Sequence, residues 1–192
     1  LGINTPPCCR EHLGALCLLV AEYLTGDGIV HWMDGGTLLG AVRQEGNLVA
    51  WDDDVDIAFV LDGEQSWDGL VADLGRRLAG AGLLMTSTRS EGLICVFNEA
   101  PRTWPLGYER NRLRGEVRVD LVLYRVASSG GQRVVERTSL KGDLERTESG
   151  AYGLPADVVL PPSTVTLLGK EVSAPRDTDA YLRQIMDALK PQ

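Results

Sequence analysis

Apolar residues recur along this chain with two periods, and the switches between them mark out its elements. Leu13, Leu16, Cys17, Val20 and Leu24 follow the i, i+3, i+4, i+7, i+11 pattern of one buried helical face. Thr5-Pro6-Pro7 supplies the entry, because proline is tolerated in a first turn, and Gly26-Asp27-Gly28 stops the helix. A short strand is expected over Ile29 to Met33, ending at Asp34-Gly35-Gly36, and then a short helix over Thr37 to Arg43. A second strand is expected from about Asp54 to Leu61. Ser66 is placed to cap a helix whose stripe is Trp67, Leu70, Val71, Leu74 and Leu78, closed by Gly80 and Gly82.

Strands follow at Leu83 to Thr88, Leu93 to Asn98 and Val117 to Val126, and Ser128-Ser129-Gly130-Gly131 turns the last into another at Arg133 to Arg137. Ala100 to Arg114 and Ser139 to Gly153 lack a period and read as irregular. Thr164 to Val172 reads as a hairpin around Gly169. A last helix after Pro175 presents Tyr181, Leu182, Ile185, Met186 and Leu189 inward. Helices and strands are interspersed without regular alternation, which predicts an α+β fold: a mixed sheet flanked by helices, in one domain over residues 1–192.

Composition narrows the function. At 192 residues, 44% apolar and 24% charged, the chain suits an ordinary globular domain. A net charge of −8 argues against a general nucleic-acid binder. It leaves room for a nucleotide, because a divalent cation can bridge acidic protein to acidic phosphate. The longest apolar candidate, Leu13 to Leu24, is broken by Glu22 and falls short of a bilayer span. Membrane association is expected only through flanking sequence. Cys17 and Cys95 lie in apolar patterns and read as core. The vicinal Cys8-Cys9 pair reads as metal ligands, as cysteines paired with flanking sequence, or as two thiols at a helix start.

The chemistry concentrates in Trp51-Asp52-Asp53-Asp54-Val55-Asp56-Ile57-Ala58-Phe59-Val60. Read as a strand, this segment puts Asp52, Asp54 and Asp56 on one face, and Asp53, Val55, Ile57 and Phe59 on the other. Adjacent same-face positions lie about 6.6–7 Å apart, so their carboxylates can converge on one or two cations. Oxygen-only ligands favour Mg²⁺, Mn²⁺ or Ca²⁺ over zinc. The Gly at the sixth position and the Glu at the twelfth position of an EF-hand loop are absent, which argues against Ca²⁺ binding of that kind. Asp120, within Arg118-Val119-Asp120-Leu121-Val122-Leu123-Tyr124, is a charge in an apolar strand and needs a partner. A metal shared with Asp54 and Asp56 would serve, and so would an ion pair with Arg118 or Arg112.

Gly35-Gly36-Thr37 sits where a strand becomes a helix, a place where backbone N–H groups approach an anion. Gly36 and Thr37 are expected to position nucleotide phosphates. Arg43, Arg112 and Arg114 are the candidate phosphate clamps, and His12 and His31 carry no assigned chemistry.

Asp34-Gly35-Gly36-Thr37-Leu38-Leu39-Gly40-Ala41-Val42-Arg43 together with Trp51-Asp52-Asp53-Asp54-Val55-Asp56-Ile57 resembles the LicD family of the nucleotidyltransferase superfamily. That family spans bacterial phosphocholine transferases and the animal proteins fukutin and fukutin-related protein. Pro6-Pro7-Cys8-Cys9 is similar to its catalytic-domain entry, and Ala174-Pro175 with Ala180-Tyr181-Leu182 to its closing helix. Ala50 stands where the family has proline. The resemblance implies transfer of a phospho-group, of the phosphocholine or polyol-phosphate type, from a CDP-activated donor to a glycan or polyol hydroxyl. Asp52, Asp54, Asp56 and Asp120 would be the Mg²⁺ (or Mn²⁺) ligands, with Asp54, Asp56 and Asp120 catalytic. Cys8 and Cys9 would be two of four Zn²⁺ ligands, the other two having no counterpart here. The expected compartment is the Golgi lumen for a eukaryotic protein and the cytoplasm for a bacterial one. Two other readings use the same acids: transfer of a nucleoside monophosphate to a small molecule, and a non-catalytic Ca²⁺-binding module.

Overall fold

A computed structural model describes residues 5–98, 117–138 and 153–188. The first apolar stripe forms α1 (Pro7–Gly26), followed by β1 (Val30–Met33), α2 (Gly35–Arg43), β2 (Asp54–Val60) and α3 (Trp67–Gly80). Then come β3 (Leu83–Thr88), β4 (Leu93–Asn98), β5 (Arg118–Ser129) and β6 (Gln132–Arg137). The chain continues through β7 (Gly153–Pro155), α4 (Ala156–Val159), β8 (Ser163–Leu167), β9 (Lys170–Ala174) and α5 (Thr178–Ala188). The single-turn α4 is too short to leave a period in the sequence. The segment expected to be irregular over 100–114 lies outside the described residues, as does nearly all of the one over 139–153.

Local chemistry accounts for the helix starts. Ser66 caps α3 by accepting the Gly69 N–H on its Oγ at 3.1 Å. α2 begins two residues earlier than its apolar pattern, because Asp34 caps it.

Seven strands make one sheet in the order β1-β2-β5-β4-β3, with β6 joined to β5 and β7 to β6; β8 and β9 form a separate hairpin. Among the described strands, β2–β5 is the only parallel pair. The first part of β5 pairs with β4 as far as Val122, and its later part pairs with β6 from Tyr124 onward. The fold is α+β, with a mixed sheet flanked by helices.

Directly paired residues face the same side of a sheet. One face therefore carries Val55, Ile57, Phe59, Ile94, Val96, Val119 and Leu121, all fully buried. α1 and α3 cover it: Cys17 Sγ lies 3.8 Å from Met33 Sδ, and Phe59 stacks on Trp67 at 6.5 Å. The opposite face carries Asp54, Asp56, Cys95, Arg118, Asp120, Tyr124 and Arg137. No helix among the described residues is long and apolar enough to cross a membrane.

α5 is fastened to the polar face through one side chain. Trp32 on β1 donates its indole N–H to the Tyr181 hydroxyl at 3.1 Å, and that hydroxyl donates to Asp34 Oδ1 at 2.6 Å. Tyr181 is fully buried. Replacing it by phenylalanine leaves a buried N–H and a carboxylate oxygen each one partner short. Tyr181→Phe should lower the unfolding free energy by about 2–4 kcal/mol in urea denaturation. A loss below about 0.5 kcal/mol would show that these bonds do not hold α5.

Candidate active site

The parallel register of β2 and β5 sets Asp56 beside Asp120, and Asp54 beside Arg118. Paired strands lie about 4.8 Å apart and alternate residues about 6.7 Å apart along a strand, so the three carboxylates share one small patch. The structure thus brings Asp54, Asp56 and Asp120 together.

Asp52 reaches the patch by another route. Alternation from Asp52 does not apply, because β2 begins only at Asp54. The Asp52 N–H instead donates to the Val49 carbonyl in a turn at 3.2 Å. Thr5 then ties that turn down: its N–H donates to the Ala50 carbonyl at 2.9 Å and its hydroxyl to the Asp52 carbonyl at 2.8 Å. The Asp52 carboxylate lies against the first turn of α2. A Cβ on Gly36 would stand 2.6 Å from Asp52 Oδ2, and one on Gly35 would stand 2.8 Å from Asp56 Oδ2. Gly35 also has φ +51°. Both glycines are needed for two carboxylates to approach this helix start, whose free N–H groups and dipole favour negative charge.

Asp34 organises the same corner. Its Oδ1 accepts the Gly35 N–H at 2.7 Å and the Tyr181 hydroxyl, and its Oδ2 accepts the Tyr124 hydroxyl at 3.0 Å. The Asp34 N–H donates to the Asp56 carbonyl at 3.0 Å, which extends the β1–β2 ladder into the site. Thr37 is 1% exposed, and its Oγ1 accepts the Asp56 N–H at 2.9 Å. The structure places Thr37 inside the fold, where it stitches α2 to the acid strand.

Arg118 binds two of the acids. Its Nε donates to Asp120 Oδ1 and Oδ2 at 2.9 and 3.1 Å, and a terminal nitrogen donates to Asp54 Oδ2 at 3.1 Å. The ion pair that the sequence allowed for Asp120 is therefore formed, and it extends to Asp54. Asp56 lacks such compensation. Burial pushes its carboxyl up to about 8, with Asp34, Asp54 and Asp120 adding to the rise and Arg137 opposing it. Burial likewise raises Asp52 to about 6, helped by Asp54 and Asp53, and it raises Asp54 against the pull of Arg118. Cys95, paired with Asp120, is pushed up to about 12, first by burial and then by that carboxylate.

Among the described residues, no group of three or more His, Cys, Asp or Glu side chains is drawn together closely enough to hold a metal ion. The donor chemistry nonetheless fits a hard divalent cation: the acids offer oxygen only, and Asp56 sits among like charges that a cation would offset. The Cys8 and Cys9 sulfurs lie 4.0 Å apart near the start of α1, and no third zinc ligand joins them among the described residues.

The candidate clamps fare differently. Arg43 is exposed in the last turn of α2, about 12 Å along the helix from Gly35 at 1.5 Å per residue. Arg112 and Arg114 lie outside the described residues. The sequence reading missed Asp34, Tyr124, Tyr181 and Arg137, and it weighed Arg118 only as a partner for Asp120. Asp34 left a usable signal, because an aspartate just before a helical stretch is a favoured cap.

Comparison with known proteins places these features. Residues 28–177 match the family model described as LicD/FKTN/FKRP, nucleotidyltransferase domain. The mouse ribitol 5-phosphate transferase FKRP is 41% identical over 61 residues, 32% of this chain and 12% of that protein. The human protein of the same name is 41% identical over 58 residues, 30% of this chain and 12% of that protein. The matched stretches thus span about an eighth of these curated relatives. Among solved structures, the lincomycin-bound lincosamide antibiotic adenylyltransferase LnuA superposes with a TM-score of 0.48 at 14% identity, covering 94% of this chain and 86% of that one. On the strength of the family match, which takes in α2, the acid strand and β5, the chain belongs to the LicD/FKTN/FKRP nucleotidyltransferase-domain family.

Proposed function

We propose that residues 1–192 act as one catalytic domain, which transfers a phospho-group of the phosphocholine or polyol-phosphate type from a CDP-activated donor to a glycan or polyol hydroxyl. The observation that carries this reading is the parallel pairing of Asp56 with Asp120, beside a glycine-lined helix start. Family membership supports a transferase of phosphorus-containing groups, and the matched ribitol 5-phosphate transferases favour a polyol phosphate as the cargo.

Asp54, Asp56 and Asp120 would hold Mg²⁺ or Mn²⁺, with Asp52 at the margin. Such an ion, when bound, neutralises charge on the donor diphosphate and its departing CMP. The rest falls to the chain's own side chains. Arg118 keeps Asp54 and Asp120 aimed at the same patch, and Thr37 and Asp34 fix the height of Asp56 against α2. Gly36 leaves the first turn of α2 open to close approach. Arg112 and Arg114 remain candidates for the donor's β-phosphate; Arg43 is a weaker one, given its place at the far end of α2. In the transfer, the bond from phosphorus to the CMP oxygen breaks and a bond from phosphorus to the acceptor oxygen forms. The acceptor's proton passes to a carboxylate.

Release of CMP from CDP-ribitol, CDP-choline and CDP-glycerol in the presence of Mg²⁺ tests the reaction. Pyrophosphate release from CTP would point instead to nucleotide transfer, and Ca²⁺ binding without nucleotide to a silent module. Asp54→Asn and Asp56→Asn should each lower CMP release by about a hundredfold or more, with an unchanged circular dichroism spectrum. Full activity in either variant removes the mechanism.

The raised Asp56 and Asp52 groups also predict a pH effect. A carboxyl whose folded value lies above its unfolded value stabilises the fold at low pH, and that contribution is lost as pH rises through the folded value. Metal-free protein should therefore melt lower at pH 8.5 than at pH 5.5, with Asp52 titrating near 6 and Asp56 near 8. Millimolar Mg²⁺ should reverse most of the loss at the higher pH, because it binds the folded state alone. Melting curves indifferent to both pH and Mg²⁺ would contradict a cation at these acids.

A further inference from the structure

Two arginines approach the acid face from the described strands, and their situations differ. Arg118 is committed to Asp120 and Asp54. Arg137 ends β6 opposite Tyr124, and so lies on the same face as Tyr124, Asp120 and Asp56. Its strand neighbours are engaged elsewhere: Glu136 pairs with Arg125, and the Thr138 hydroxyl donates to the Leu123 carbonyl at 2.9 Å. Arg137 forms no ion pair within 4 Å among the described residues, and its Nε, like that of Arg10 on α1, is buried without a hydrogen-bond partner. Its charge still reaches the site, since it opposes the upward shift of both Asp56 and Tyr124.

A buried guanidinium donor without an acceptor is uncommon and calls for an explanation. This one stands beside a patch that already holds more carboxylate than Arg118 can offset, yet it bonds to none of those acids. Its planar fork of donors is the geometry at which arginine meets phosphate.

We infer that Arg137 is a donor-binding residue whose guanidinium takes a phosphate of the nucleoside diphosphate at the edge of the acid face. The inference rests on the transferase reading above and adds to it a cation that no sequence motif marks. Arg137 would hold the phosphate from the β6 side while the carboxylates approach it from β2 and β5.

Titration calorimetry with CDP and with cytidine, both in Mg²⁺, tests it on the whole chain. Wild-type protein should bind CDP more tightly than cytidine. Arg137→Gln should weaken CDP by about 10- to 100-fold, the range of a charge-assisted pair, and leave cytidine unchanged. Arg137→Lys, which keeps the charge and most of the stem, should recover part of the loss. The melting temperature of both variants without ligand should stay within a few degrees of wild type. If Arg137→Gln binds CDP as well as wild type, the Arg137 assignment is wrong while the transferase reading stands. If wild-type protein binds CDP no better than cytidine, the donor reading fails and takes this assignment with it. An equal loss for CDP and cytidine, or a large drop in melting temperature in both variants, makes Arg137 a strut and overturns its role in binding.

Discussion

The site depends on holding like charges together. Asp34, Asp52, Asp54, Asp56 and Asp120 converge where β1, β2 and β5 meet the start of α2, and each would repel the others if left alone. Every other feature of that corner answers this repulsion in some way. Arg118 spans two of the acids, and two tyrosine hydroxyls and a backbone N–H satisfy Asp34. Glycines remove the carbon atoms that would keep Asp52 and Asp56 off the helix. Asp56 is left with the largest uncompensated strain, expressed as a carboxyl held up to about 8. The proposed cation, with the phosphates that travel with it, would offset the charge that this arrangement keeps together.

Much of this was legible in the chain because it is written at short range. β3 and β4 came out with the observed limits, and β1, β2 and α3 came out within a residue or two, since alternation and helical stripes are local signals. The two acid-bearing strands could be singled out because Asp56 and Asp120 interrupt apolar runs. What the sequence could not carry was the set of partners. Arg118 lies two positions from Asp120 but bonds also to Asp54, 64 positions away, and only the register of a parallel pair makes that possible. Tyr181 reads as an inward helix residue and Tyr124 only as part of an apolar strand; their hydroxyls meet at Asp34 across 147 and 90 positions. Alternation puts Asp52 on the strand face, whereas it arrives through a turn pinned by Thr5. A local period says nothing of a contact made by a loop.

The division of the sheet into two chemistries follows from the same register. Its apolar face is sealed by α1 and α3, which lets the opposite face be polar without loss of the core. The change of partner along β5, from β4 to β6, then sets Arg137 rather than a β4 residue beside Tyr124. One strand exchange thus decides which cation overlooks the acids.

The bond from Tyr181 to Asp34 has a consequence for how the protein is made. Asp34 leaves the ribosome 147 positions ahead of the hydroxyl that donates to its Oδ1. Until α5 has emerged, that buried carboxylate is short of a partner and the first turn of α2 is incompletely anchored. The acid corner is therefore completed only after α5 has emerged, and a nascent chain truncated before α5 carries the whole acidic motif in a form that has yet to close.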